Sequence, residues 1–346
     1  MKIHTLAFLL LFQFPFAFDK ALEFPHSSLL LGYKQQKGDK PGAVNLIFKS
    51  ADGGQTWQDI SEGLPENLPA DSFVEHDSEL YISAGNGIYH SKPNSTAPLW
   101  KKEIFPEKYS SLIPGKTGIV AYNYNGQFLQ KINGTSVWSP MYTNLQEREV
   151  RTFFESDGGA FFVGYNNGLF KSTNSGKTWK PAQVGDARMK LAESNGVLLS
   201  TSKEGILRST DDGQNWDRVL SEGGVGIAVE RIDGGFAAIV NNTITQINSL
   251  YISMDNGKTW GAIGEDLQPS WSSLFMKKIG LIQSSPDILS IKQMGKYLIC
   301  SRSDGIFRSS DMGKTWQQLL LPSTENFGFN LSVSGNVIYV MPNKGC

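Results

Sequence analysis

One octapeptide is written five times in this chain of 346 residues: "SADGGQTW" from Ser50, "STNSGKTW" from Ser172, "STDDGQNW" from Ser209, "SMDNGKTW" from Ser253 and "SSDMGKTW" from Ser309. A chain that repeats itself at such spacing folds as repeated units, each too small to bury its own apolar faces. The last four starts are 37, 44 and 56 residues apart, and the first gap is 122. That first gap holds about three ordinary periods, so two worn copies should lie inside it. "GIYHSKPNSTAPLW" (Gly87–Trp100) keeps the flanking strand and the Trp around a longer turn, and "FLQKINGTSVW" (Phe128–Trp138) keeps an Asn and a Trp at the spacing of the Asp and Trp. Seven units with a period near 40 result, within the range of propeller blades.

Each unit extends beyond the octapeptide. Before it stands Gly, an aliphatic, a bulky residue, often a basic residue, then the Ser, as in "GIYHS", "GLFKS", "GILRS" and "GIFRS". Earlier still comes a β-rich run that ends in a polar turn, such as "AFFVGYNNG" or "VLLSTSKEG", preceded by a shorter run such as "ILSIKQMG". After the Trp a last short run follows, as in "WQQLLL". The unit therefore reads as four antiparallel strands, A to D, joined by hairpins. The expected fold is all-β: a single β-propeller of four-stranded blades, seven in number, with six or eight as the alternatives. Closure is open at this point. "SLLLGYKQ" near the start and "NVIYVMPN" near the end both look like B strands, so the termini are expected to share a closing blade.

Placed between strands C and D, the octapeptide is a hairpin turn. Its Gly takes the positive φ of a tight turn, and its Asp accepts hydrogen bonds from turn N–H groups. Its Ser and Thr hydroxyls bond across the loop, and its Trp packs a large ring between sheets. On this reading Asp52, Trp57, Asn174, Trp179, Asp211, Trp216, Asp255, Trp260, Asp311 and Trp316 are structural. Asn at 174 agrees, since a catalytic acid does not tolerate that exchange. A Ca²⁺ loop needs more oxygen ligands than "DNGKTW" offers.

The totals exclude other classes. Thirty-two basic and 33 acidic side chains give a net charge of −1, with no clustered positive field for nucleic acid. Two cysteines and four scattered histidines form no metal spacing, so no metal and no cofactor is expected. Cys300 lies in an apolar run and reads as a buried free thiol rather than a partner of Cys346. Residues 1–18 read as a secretory signal: Lys2, then an apolar run from Leu6 to Phe14 that is short for a membrane span. The propeller would occupy 19–346, as a monomer, secreted or periplasmic, with no integral membrane segment after cleavage. Asn-x-Ser/Thr sequons stand at Asn94, Asn133, Asn241 and Asn330.

The pattern S-x-D-x-G-x-T-W resembles the Asp-box, or BNR, repeat, and the resemblance covers nearly all of the chain after the leader. It implies a propeller whose boxes lie on the face opposite the ligand site. Photosystem II assembly and stability factors are the nearest group in size, blade count and export, and they resemble non-enzymatic binding scaffolds. Sialidases and sortilin-type receptors are more distant. A sialidase would imply an arginine triad, a Tyr–Glu pair and an Arg-Ile-Pro motif near the start, yet residues 19–49 contain no Arg. Arg208 and Arg308 occupy one repeated strand-C position instead. Xyloglucan-active relatives resemble two such propellers facing a cleft, and this chain has the length of one.

If the C–D turns mark one face, the B–C and D–A loops mark the other, and loops on a rigid scaffold carry function. The B–C turns "AGNG", "NYNG", "GYNNG", "SKEG" and "RSDG" gather Asn86, Tyr122, Tyr124, Tyr165, Asn166, Asn167, Lys203, Glu204, Arg302 and Asp304 as candidate ligand-binding residues. Aromatic, amide and charged groups together suit a glycan or a peptide. The expected function is a non-catalytic scaffold that binds a protein or glycan there. The alternative is a glycoside hydrolase with Glu204 and Asp304 as its carboxylate pair, which would need to stand roughly 5–9.5 Å apart. A further feature is the basic residue before the box Ser: Lys49, His90, Lys171, Arg208 and Arg308. It reads either as a ring for an acidic partner or, preferably, as stems that cover apolar surface.

Overall fold

A computed structural model describes residues 46 to 343, apart from 66–69, 85–86, 93–98, 104–110, 124, 144, 146–149, 166–167, 185–189, 269–286 and 322–327. Seven four-stranded antiparallel sheets form a ring, a seven-bladed propeller with almost no helix. In chain order, blade 2 is built from Ala70–His76, Glu79–Ala84, Gly87–Ser91 and Lys101–Lys102. Blade 3 uses Ser111–Gly115, Gly118–Tyr122, Phe128–Ile132 and Trp138–Met141. Blade 4 uses Thr152–Glu155, Phe161–Tyr165, Gly168–Ser172 and Lys180–Val184. Blade 5 uses Leu191–Ser194, Val197–Ser202, Gly205–Ser209 and Asp217–Leu220. Blade 6 has Gly224–Ile232, Gly235–Asn242, Ile247–Ser253 and Gly261–Ile263, and blade 7 has Ile288–Met294, Tyr297–Arg302, Gly305–Ser309 and Gln317–Leu319.

Blade 1 closes the ring from both ends of the chain. Its A and B strands are Gly328–Ser334 and Val337–Asn343; its C and D strands are Phe48–Ser50 and Gln58–Asp59. Ile338 stands opposite Ser50 and Val340 opposite Phe48, so the C-terminal B-like segment holds the B position. The competing segment "SLLLGYKQ", like the leader and Cys346, lies outside the described residues. Cys300 is a buried free thiol.

Burial follows strand position. A B strand is sandwiched between two neighbouring blades, so both its faces lose water and Val197–Ser202 is buried at every residue. D strands lie at the rim, and Gln58–Asp59 is exposed at both positions. The core is a series of interfaces between blades. Phe162 and Leu198 meet between blades 4 and 5, and Leu199 and Phe236 meet between blades 5 and 6. In blades 2, 4, 5 and 7 strand C opens on a glycine that its backbone needs. Gly168, Gly205 and Gly305 have φ of +140°, +115° and +152°, a region only glycine visits without strain. A Cβ on Gly205 would also stand 1.9 Å from the carbonyl oxygen of Leu220 in strand D.

Candidate functional site

Antiparallel strands put the A–B and C–D connections at one end of every blade and the B–C and D–A connections at the other. The five octapeptides occupy the first end. In each, the Ser hydroxyl donates to the Asp or Asn side chain at 2.7–2.9 Å and accepts from the Gly N–H at 2.7–3.0 Å. Asp255 then accepts from the Thr259 N–H at 2.9 Å and the Thr259 hydroxyl at 2.7 Å. Asn174 keeps the frame with one polarity reversed: its Oδ1 accepts from Thr178 N at 2.9 Å while its Nδ2 donates to Thr178 Oγ1 at 2.8 Å. The rings of Trp179, Trp216 and Trp316 donate to the carbonyl of their own box Gly at 2.8, 3.1 and 3.0 Å.

These bonds favour ionised aspartates. At Asp211 the Asn215 N–H, the Asn215 amide and the Ser209 hydroxyl hold the carboxyl down at about 2. At Asp52 burial pushes upward, but Thr56, Ser50 and Gln55 outweigh it and hold the carboxyl at about 2. Asp255 and Asp311 are lowered further, chiefly by Thr259 and Thr315. Such carboxyls are poor proton donors near neutrality. Ser253 is buried, and its loss would leave the Gly257 N–H without a partner. Ser253→Ala should therefore destabilise the fold by about 1–3 kcal/mol in denaturant titrations.

Each box also docks on the blade before it. The box Gly has φ near +80° in all five copies (Gly54 +83°, Gly176 +82°, Gly213 +80°, Gly257 +77°, Gly313 +86°). A Cβ there would meet Leu319 at 2.4 Å, Met141 at 3.2 Å, Phe162 at 2.8 Å, Leu199 at 3.0 Å and Ile263 at 2.5 Å respectively. The basic residue before the Ser completes the joint. Lys171 Nζ donates to Asp212 O at 2.8 Å, Arg208 Nε to Asn256 O at 2.8 Å, and Arg308 Nη1 to Gly53 O at 2.7 Å. In every case the acceptor is the fourth box residue of the next blade. At these three positions the side chains are thus clasps between blades, not a free ring of charge. Stem packing explains only part of them, because the partner is a backbone carbonyl in another blade.

Blades 2 and 3, where the boxes are worn, use ions instead. Lys131 stands at the box Ser position, with Nζ 2.7 Å from Glu103 Oε1, and Glu103 also faces His90 Nδ1 at 3.1 Å. Burial pushes the Glu103 carboxyl up, but His90 and Lys131 outweigh it and hold it below its ordinary value. Asn133 Oδ1 accepts from His76 Nε2 at 2.7 Å rather than closing its own turn.

At the opposite end the candidate residues separate. Asn86, Tyr124, Asn166 and Asn167 lie outside the described residues. Tyr165 is only 1% exposed and packs edge-on against Phe170 at 5.3 Å, and Tyr122 is buried too, so neither ring is offered to a ligand. Both end B strands, whose two faces are covered by neighbouring blades. Arg302 is 8% exposed and engaged on all sides. Its Nε and Nη2 reach the Asp304 carboxylate at 2.8 and 2.7 Å, Nη1 reaches Leu267 O at 2.8 Å, and its guanidinium lies 4.8 Å from the Phe307 ring centre. Lys203 and Glu204 are exposed, and Glu204 pairs with Arg218 at 3.0 Å. Glu204 and Asp304 thus sit in blades 5 and 7, each beside its own arginine, with blade 6 between them. Sequence reading missed an ion pair between the innermost strands of blades 7 and 6, Lys292 Nζ to Glu230 Oε1 at 2.6 Å. Aligning each A strand to the box Ser of its own blade would have brought Glu230 and Lys292 into neighbouring inner strands.

Comparison with known proteins agrees with the architecture. The family model of the BNR-Asp box repeat matches residues 306–319, the C strand, turn and D strand of blade 7. Over 244 residues the chain is 26% identical to the probable oligoxyloglucan-reducing end-specific xyloglucanase of Neosartorya fischeri, covering 65% of this chain and 28% of that enzyme. The chain therefore spans under a third of that relative's length. Among solved structures, YCF48 bound to a D1 peptide superposes with a TM-score of 0.59 at 14% identity, covering 86% of this chain and 97% of that one. The GH74 xyloglucanase of Xanthomonas campestris also gives 0.59 at 14% identity, covering 80% of this chain and 52% of that one. The chain is a seven-bladed propeller of BNR-Asp box repeats.

Proposed function

We propose that the protein is an exported, non-catalytic scaffold that binds a protein partner on the B–C and D–A face. One observation carries this reading: the box ends of the blades are saturated by their own hydrogen bonds and docked on their neighbours, while Lys203 and Glu204 stand exposed at the other end. The likeness to YCF48 bound to a D1 peptide, a chain of nearly the same extent, favours a protein ligand over a glycan. Among the described residues no helix is long and apolar enough to cross a membrane.

A second reading, glycoside hydrolysis, draws on the xyloglucanase relatives. It would need a carboxylate pair across the scissile bond, whereas Glu204 and Asp304 each neutralise an arginine in non-adjacent blades. The test is a peptide array and a glycan array probed with the full chain, beside hydrolysis assays on xyloglucan oligosaccharides. Expected is peptide binding that Lys203→Glu or Glu204→Lys abolishes and Asp255→Asn leaves intact, with no hydrolysis. Turnover that Glu204→Gln or Asp304→Asn removes would replace this reading with the enzymatic one.

A further inference from the structure

Blade 4 is the exception to the saturation of the box end. Its box carries Asn174 where the other four complete boxes carry Asp52, Asp211, Asp255 and Asp311. In those four the seventh box residue gives a side-chain hydrogen to the carboxylate. Thr56, Thr259 and Thr315 do so through their hydroxyls at 2.6, 2.7 and 2.6 Å, and Asn215 through its amide at 2.7 Å. In blade 4 the bond runs the other way. Asn174 Oδ1 is fixed as the acceptor by the Ser172 hydroxyl and the Thr178 N–H, both at 2.9 Å. Its Nδ2 therefore faces Thr178 Oγ1 and donates to it at 2.8 Å. A hydroxyl has one hydrogen to give, and the box leaves that of Thr178 unspent.

The charges beside this box are also particular to blade 4. Across strands C and D the clasp residues Lys171, Arg208 and Arg308 face Lys180, Asp217 and Gln317. Blade 5 thus sets an acid against its clasp and blade 7 an amide, whereas blade 4 sets two lysines directly opposite, an arrangement that repels. The Asp212 carboxylate holds Lys171, which leaves Lys180 as the cation of the two without an ion pair among the described residues. Asn174 also removes the negative charge that every other complete box holds. Lysines and unspent hydroxyl meet in one place. A cavity of about 360 Å³ between blades 4 and 5 has Lys171, Thr173, Thr178, Lys180, Pro181 and Gln214 in its walls, and among the described residues none that line it is acidic.

We propose that the cavity beside the Asn174 box is an oxyanion subsite that takes the carboxylate or sulfate of an acidic sugar. Lys180 supplies the charge and the Thr178 hydroxyl a directed hydrogen, and hydrogen bonds to an ionised acceptor are the strong ones. The Thr173 hydroxyl and the Gln214 amide stand in the same walls to pair with ring hydroxyls. The volume is at the small end for ligand pockets and suits a single ring. Exchange of one carboxylate for an amide thus turns one joint of the scaffold into a site. The subsite lies at the box end and does not depend on the binding face proposed above.

The test follows threonine methyl signals of the full chain by NMR, with that of Thr178 identified by its absence in Thr178→Val. Glucuronate or glucose 6-sulfate should move the Thr178 signal to saturation, and glucose should leave it still. Asn174→Asp is the decisive variant. It restores the box of the other blades, returns the Thr178 hydrogen to a carboxylate and sets a negative charge beside the cavity. It should unfold at the same or a higher temperature than the wild type, yet bind the anion about tenfold more weakly or worse. Lys180→Gln, at an exposed residue, should weaken binding by a similar factor without changing unfolding, and it decides the matter if Asn174→Asp fails to fold. Undiminished affinity in Lys180→Gln or in folded Asn174→Asp would overturn the proposal. So would glucose moving the signal as the anions do, trialanine binding more tightly than either acidic sugar, or no saturable change at Thr178. None of these results bears on the B–C and D–A face, whose own test is the pair of arrays.

Discussion

Gly205→Ala should destabilise the propeller by about 3 kcal/mol or more, seen as a large drop in the denaturant midpoint. Two physical terms act together. The residue has φ of +115°, outside the range an L-alanine adopts without strain. Its Cβ would lie 1.9 Å from Leu220 O, at the end of the adjoining D strand, and 2.8 Å from the Cα of the next residue, Ser221. A flexible side chain would move aside; a hydrogen-bonded strand cannot without breaking its pairing. Gly196→Ala is the matched control. It also has a positive φ, +72°, but nothing lies within 4 Å of its Cβ. Its cost should stay near 1 kcal/mol, the backbone term alone.

Phe162→Ala should cost about 3–5 kcal/mol, because it empties the joint between blades 4 and 5. The ring is fully buried among Leu169, Leu198 and Leu207. Its edge supports the box Gly of blade 5, where a Cβ on Gly213 would come within 2.8 Å, and the Lys171 ammonium lies 5.6 Å from its centre. Lys171 in turn holds the carbonyl of Asp212. One substitution therefore loosens apolar packing, turn docking and clasp together. Leu320→Ala, at a residue 89% exposed, should change the unfolding curve by less than about 0.5 kcal/mol.

Much of this architecture was legible in the sequence, for identifiable reasons. The octapeptide fixes a turn through contacts within eight residues, so local chemistry predicts it. Strand order within a blade follows from short hairpins. Less was legible wherever the partner lies in another blade. Arg208 and Arg308 read as a charged ring or, preferably, as stems covering apolar surface because their acceptors, Asn256 O and Gly53 O, are backbone atoms that sequence does not mark. The closing blade was ambiguous because two segments carry the same B-strand pattern, and register alone gives the position to Val337–Asn343.

The candidate site was harder still to read. Tyr165 sits in "GYNNG" like a loop residue, yet it is the last residue of a B strand covered from both sides. Arg302 and Asp304 look like ligand groups in "RSDG" until their bidentate pairing is seen.

The account's central claim is that the Asp-boxes are joints of the scaffold. It is tested most directly by unfolding the wild type and the variant Asp52→Asn, Asp211→Asn, Asp255→Asn, Asp311→Asn across acid pH. All four carboxyls lie below their ordinary value of 3.8 in the fold, at about 2 for Asp52 and Asp211 and lower for the others. A group lowered by folding stabilises the folded state above its unfolded value, and that stabilisation is lost as pH falls through the folded value. The wild type should therefore lose stability steeply from about pH 4 down through pH 2. The variant, whose amides can hold the turn as Asn174 does, should stay folded at pH 7 and show a shallower acid slope, by up to one proton per replaced box. An unchanged acid slope, or a variant that keeps its stability but loses ligand binding, would contradict the account.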